Sequence, residues 1–153
     1  MNLKNRNQLI KVNAMKNTSK AILMYFDKET KILETEAFIG KNGTTKNKVE
    51  GDGKTPEGIF HLGIILGTND KKEIALNKNF EYIRITPNLY WVDDTHSKFY
   101  NQLVDITKVS KDWNTAEHLI EYPNQYEYAI EIKTNSKNIP GKRKRNIFAL
   151  QYK

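Results

Sequence analysis

Glu50-Gly51-Asp52-Gly53-Lys54-Thr55-Pro56-Glu57-Gly58 is the stretch whose residue types most invite a chemical reading. Three glycines and one proline in nine residues specify a tight loop, and Gly53-Lys54-Thr55 has the composition of a phosphate loop. A phosphate loop needs a further glycine five residues before Gly53, where Lys48 stands, and a helix afterwards. Here Pro56 and an apolar, strand-like run follow, and Glu50 and Asp52 would repel phosphate. The stretch therefore reads as a shaped β-connection beside a substrate groove, not as a nucleotide site.

The other groupings are weaker. Asp93-Asp94-Thr95-His96 brings two carboxylates and an imidazole together, but His61 and His118 stand alone and no second cluster completes a metal site. It reads as a solvated loop beside a packed Tyr90-Trp91. Glu117-His118 are sequence neighbours whose side chains point apart, so they form no acid–base dyad. No Gly-x-Ser-x-Gly elbow surrounds Ser19, Ser97, Ser110 or Ser136. The chain has no Cys, which removes disulfides, zinc-thiolate sites, iron–sulfur clusters and thiol nucleophiles together. No cofactor is expected.

The elements that must position these residues are short strands split by turns, a mainly β texture. Strands are expected at Gln8 to Asn13, Ala21 to Phe26 and Ile32 to Ile39, the last two joined by a polar turn over 27–31. Gly40-Lys41-Asn42-Gly43 is a strong turn signal. Gly58 to Leu66, Glu81 to Thr86, Tyr126 to Ile132 and Asn146 to Tyr152 complete the set. Trp113, Ala116, Leu119 and Ile120 fall near one helical face, so a helix is expected over Lys111 to Tyr122, stopped by Pro123. Ser97 to Ile106 is either a second short helix or an ordered loop.

With 153 residues the chain is expected to form one domain with a real core. Its net charge is +7, yet residues 1–132 hold 18 basic and 18 acidic groups. The whole excess lies beyond residue 132, notably in Lys142-Arg143-Lys144-Arg145. A nucleic-acid-binding domain spreads basic residues over a face, so no nucleic-acid partner is expected and a basic nucleic-acid-binding β-domain is the lesser alternative. Apolar runs such as Ile64-Ile65-Leu66 are far short of the roughly 20 residues of a membrane span. Met1 to Lys11 lacks an apolar core of the signal-peptide kind, and the compartment is left open.

Several segments, in order, resemble the L,D-transpeptidase catalytic domain of bacterial cell-wall enzymes. Val49 to Phe60 is similar to that family's Gly-Lys-Thr-Pro-x-Gly motif, and Ala37-Phe38-Ile39-Gly40-Lys41-Asn42-Gly43 to the strand and turn before it. Tyr90-Trp91-Val92-Asp93-Asp94, Phe99-Tyr100-Asn101, Ala116-Glu117-His118-Leu119, Tyr128-Ala129-Ile130 and Pro140-Gly141-Lys142 follow. The resemblance covers roughly residues 8 to 142. It implies a β-sandwich-like fold with one or two short helices, and peptidoglycan stem peptides as partners. It makes Lys54, Thr55, Pro56, Tyr90, Trp91 and Asp93 the substrate-groove candidates, with the 50–58 loop bordering a groove lined by Tyr90 and Trp91.

The family's chemistry needs a cysteine thiolate, a histidine base and backbone N–H groups for the oxyanion. The resemblance leads one to expect Gly-Lys-Gly-Ser-Ala-Ile-Phe-Leu-His after Pro140, then Ser-x-Gly-Cys. Instead Arg143-Lys144-Arg145 follows Lys142, and no His follows Phe148. Chosen codons for the expected peptide, with one A inserted into an A run and the T and G of a following Cys codon added, translate as Gly141 to Leu150. The chain is thus expected to be a C-terminally truncated, frameshifted relative with no catalytic residues, its alternative being a non-catalytic peptidoglycan-binding pseudoenzyme. An out-of-frame end would leave the sheet poorly covered and the domain marginally stable.

Overall fold

Alternation of apolar and polar residues, interrupted by turn formers, gives twelve short strands and almost no helix among the described residues. The computed structural model describes residues 8–49, 51–70, 81–134 and the backbone of 147–149. The strands are β1 (Gln8–Ala14), β2 (Lys20–Asp27), β3 (Thr30–Phe38), β4 (Thr44–Thr45), β5 (Thr55–Pro56) and β6 (Leu62–Gly67). They continue as β7 (Tyr82–Arg84), β8 (Leu89–Val92), β9 (Leu103–Asp105), β10 (Ala116–His118), β11 (Tyr128–Ile132) and β12 (Ile147–Ala149). The chain divides into two units, Met1–Glu57 and Gly58–Lys153.

In the first unit β1, β2 and β3 form an antiparallel meander. Asp27 pairs with Thr30, so Lys28 and Glu29 make a two-residue turn, and Lys28 adopts φ 55°. Positive φ matches the twist that a two-residue hairpin requires. Val12 lies opposite Leu23 and Leu23 opposite Thr35, so one face carries Val12, Leu23 and Thr35, with Ala14, Ala21 and Ala37 beside them. Ala21 and Leu23 are the buried residues of that face. β4 and β5 pair in parallel, Thr44 with Thr55 and Thr45 with Pro56.

The second unit holds two sheets, ordered β10-β8-β9 and β12-β11-β6-β7. β6 and β7 are parallel, and the remaining pairs are antiparallel. Leu66 and Ala129 from the four-stranded sheet share a core with Trp91, Ile85, Leu119 and Tyr126. Val92, Val104 and Trp113 form a second cluster, joined by Tyr90, Phe99, Val109 and Ala116. The register explains the division. Tyr90, Val104 and His118 lie in one cross-strand row, Trp91, Leu103 and Glu117 in the next, and successive rows point to opposite faces.

The helix expected over Lys111 to Tyr122 is absent. Trp113 and Ala116 pack in one cluster and Leu119 in the other, so no single apolar stripe exists. Residues 116–118 pair along the edge of β8, and only a single-turn 3-10 helix, Leu119–Glu121, follows. Ladder pairing with an otherwise open edge outweighs weak local helix propensity at Asn114 and Thr115. Residues 97–101 form turns that lead into β9, which settles the helix-or-loop alternative for that segment as turn and strand. The run Gly58 to Leu66 narrows to β6, because residues 57–61 are not strand.

At the C-terminal side Ile147–Ala149 pairs antiparallel with Glu131–Ala129 and forms an outer strand of the four-stranded sheet. Leu150, Tyr152 and the basic run 142–145 lie outside the described residues.

Leu66 has no exposed surface and lies in the centre of the larger core. Leu66→Ala is expected to lower unfolding stability by about 2–5 kcal/mol, as buried Leu truncations do. Urea denaturation followed by tryptophan fluorescence checks this; an unchanged midpoint would contradict the packing described.

Candidate functional site

The Gly-Lys-Thr-Pro loop is built by close backbone approach. A Cβ on Gly40 would stand 2.4 Å from the Gly53 carbonyl oxygen and 2.8 Å from backbone atoms of Lys54, so only glycine allows the contact. Around it the Gly40 amide donates to Thr55 Oγ1 at 2.8 Å, and the Asn42 amide to the Gly53 carbonyl at 3.0 Å. The Thr55 amide donates to the Gly43 carbonyl at 2.9 Å. The Asn42 side-chain amide donates to the Asp52 carbonyl at 2.8 Å. Gly53 has φ 64°, a conformation an L side chain disfavours.

Asp52 holds the other side of the loop. Its carboxylate accepts from the Val49 amide at 2.9 Å and the Lys54 amide at 2.8 Å, and pairs with the Lys48 ammonium. Burial alone would raise its pKa. The Lys48 hydrogen bond, the two amides and the Lys48 charge together outweigh that and bring it down from 3.8 to about 2. The acid that argued against phosphate binding is thus a structural anchor of the loop. Thr44 Oγ1 donates to Glu57 Oε1 at 2.6 Å and joins the far end of the motif to β4.

Lys54, Thr55 and Pro56 belong to the first unit; Tyr90, Trp91 and Asp93 belong to the second. Each set is described within its own unit. Lys54 is exposed, and Thr55 and Pro56 are half-buried as β5. Trp91, expected to line a groove, is 2% exposed in the larger core. Its place in the alternation of β8 turns it inward, so its ring offers no open stacking face. Tyr90 is half-buried on the opposite face of that sheet, stacked on the His118 ring at 4.2 Å between centroids and 3° between planes. Asp93 is half-buried.

The Asp93–His96 stretch is not a solvated loop. Asp94 is 7% exposed. It accepts from the Asn114 amide at 2.8 Å, the Asn114 side chain at 3.3 Å and the His96 amide at 2.9 Å. These amides, Asn114's first, hold Asp94 below the usual carboxylate range. Asp112 performs a parallel task, accepting from Ser97 Oγ at 2.5 Å and the Lys98 amide at 3.2 Å. Sequence reasoning missed both roles, because all partners of Asp112 and the Asn114 partner of Asp94 stand 14 to 20 positions away. Among the described residues no group of three or more His, Cys, Asp or Glu side chains converges to hold a metal.

Glu117 and His118 point apart, as their adjacency in a strand requires. Glu117 Oε1 accepts from the Tyr126 hydroxyl at 2.6 Å. His118 Nδ1 lies 2.8 Å from Glu121 Oε1, and Nε2 lies 2.8 Å from the Pro87 carbonyl oxygen. The Glu121 hydrogen bond raises the His118 pKa above its ordinary 6.5; partial burial opposes this, while the Pro87 carbonyl and the Glu121 charge add to the rise.

The chain matches no protein-family model, no curated protein and no solved structure.

Two consequences are measurable. Gly40→Ala places a methyl group against backbone that has no free rotation to yield, at an expected cost of about 1–3 kcal/mol. Loss of the Gly40–Thr55 and Asn42–Gly53 contacts should appear as large amide shifts at 40–43 and 53–55, and unchanged shifts there would refute the close approach. Asp52 stabilises the loop fully above 3.8, and this contribution is lost as pH falls through about 2. The Val49 and Lys54 amide signals should titrate with a midpoint near that lower value; a midpoint at 3.8 would mean that the carboxylate is not anchored.

Proposed function

We propose that the chain is an L,D-transpeptidase-like domain that retains a scaffold for peptidoglycan stem peptides and carries out no acyl transfer. One observation carries the reading. The stretches on which the resemblance rests, Ala37–Gly43 and the part of the glycine-rich motif from Gly51 to Glu57, interlock through Gly40, Asn42, Gly43, Gly53 and Thr55. A motif and its preceding turn that belong to one functional loop should be joined in this way. The mainly β architecture of both units agrees in class with the expected sandwich.

Acyl transfer in such a domain starts with attack of a thiolate on the stem carbonyl, and these 153 residues contain no Cys. Among the described serines, Ser97 Oγ donates to the Asp112 carboxylate and accepts from the Phe99 amide, which commits it to the turn. What is retained is binding. The exposed Lys54 ammonium beside the half-buried Thr55-Pro56 pair suits a carboxylate of the stem peptide. The departure after Lys142 is read as a shift of frame in a transpeptidase gene.

Incubation with a carbapenem, an acylating agent for the cysteine of this family, is expected to leave the intact mass unchanged. A stoichiometric adduct would overturn the loss of acyl transfer. Isotope-labelled chain titrated with a soluble tetrapeptide stem should show shifts clustered at 40–43 and 53–56, reduced several-fold in Lys54→Glu. No shifts at saturating peptide would overturn the binding scaffold. In the coding DNA from codon 141 onward, an alternative frame should encode His followed by Ser-x-Gly-Cys; its absence would refute the frame shift and leave a pseudoenzyme.

A further inference from the structure

His118 joins the 119–121 turn, the Pro87 turn and β8 through one ring. Its Nδ1 meets the Glu121 carboxylate and its Nε2 the Pro87 carbonyl, both at 2.8 Å. Its face lies parallel to Tyr90 at 4.2 Å. A carboxylate and a carbonyl are both acceptors, so both contacts are hydrogen bonds only when both ring nitrogens carry protons. A neutral imidazole has one N–H; its other nitrogen would turn a lone pair toward an oxygen lone pair. The arrangement therefore selects the imidazolium, whose charge also favours stacking on the Tyr90 ring.

We propose that His118 is a pH-controlled clamp that ties the Ala116–Glu121 segment to the turn at Pro87 and fixes Tyr90, closed with the imidazolium and loosened with the neutral ring.

The groups around it are few. In the cross-strand row of the sheet, His118 faces Tyr90, and the residue beyond Tyr90 is Val104, which carries no charge. Glu117 and Trp91 belong to the adjacent row and point to the other face, where Glu117 bonds Tyr126. Asp105 at the end of β9 lies opposite Leu89, in the row on the other side of Tyr90 that also points to that other face, and is engaged with Thr107 and Lys108. The Pro87 turn contributes a backbone carbonyl. Glu121 is thus the charged group that faces the ring.

The two contacts differ in how easily they open. The Glu121 side chain is 63% exposed and free to rotate into solvent, while the Pro87 oxygen is fixed by the chain. The neutral ring keeps its proton toward Pro87 and releases Glu121, so loosening begins at the 3-10 turn. The sign follows from the raised value of the folded state: the clamp is fully closed below 6.5 and opens as pH rises through the higher folded midpoint. The 3-10 turn carries Leu119, a central core residue, which connects the clamp to packing.

Nitrogen-15 NMR of the full chain tests this. At pH 6 both ring nitrogens of His118 should show protonated shifts, and the midpoint should lie above 6.5. The Tyr90 ring and the Leu119 and Tyr122 amides should change with that same midpoint. Glu121→Gln, on an exposed side chain that the fold does not need, should move the midpoint down toward 6.5 and leave far-UV dichroism unchanged. A single neutral tautomer at pH 6, a midpoint at or below 6.5, or Tyr90 and Leu119 signals that do not follow His118 would each overturn the clamp. A midpoint unmoved in Glu121→Gln would remove its carboxylate arm and overturn it equally.

Discussion

Backbone pairing of β8 with β9 on one edge and β10 on the other determines which side chains of the second unit are buried together. Strand side chains alternate, so these pairings send Trp91 and Leu103 to one face and Tyr90, Val104 and Ala116 to the other. Each face meets its own apolar cluster. A one-residue slip would exchange the two sets and present Glu117 to the cluster where Ala116 now packs. Register, more than the hydrophobicity of any one residue, is the constraint on which this unit rests. Asp94 and Asp112 serve the same end by fixing the turns before and after β9 with charge-assisted hydrogen bonds to backbone amides.

In the first unit the comparable constraint is steric. Contact between Gly40 and the backbone of Gly53 and Lys54 brings two chain segments closer than any side chain permits. Once they are that close, amides and carbonyls on both sides satisfy one another, and Asp52 occupies the remaining donors. The loop is therefore rigid for reasons independent of any ligand. The His118 arrangement adds a different property to the second unit, a contact set whose strength depends on one proton.

The fold was partly legible in the sequence because hairpins are local. β1, β2 and β3 were recoverable from alternation and turn residues, within one or two positions of their ends. The tightness of the 50–58 loop was also visible, since three glycines and a proline so close together have few uses besides a fixed loop, but the close approach at Gly40 and the anchoring by Asp52 were not. β9 and β10 were not legible. Each is three residues long, and each exists because β8 offers it an edge. The spacing of Trp113, Ala116 and Leu119 mimicked a helical stripe, but the three residues serve two cores on opposite sides of a sheet.

The amino-acid sequence by itself determined the mainly β class, the tight glycine-rich loop, the confinement of the charge excess to the last 21 residues and the absence of Cys from these 153 residues. These follow from composition and from local backbone preference, which neighbours in sequence express directly. Tertiary structure alone decided that Trp91 is buried in the larger core while Tyr90 is half-buried beside the smaller one, that Asp94 is a buried anchor, and that His118 sits between two acceptors 3 and 31 positions away. The physical reason is that burial, pairing and proton affinity depend on which distant groups arrive beside a side chain, and only the folded chain brings them there.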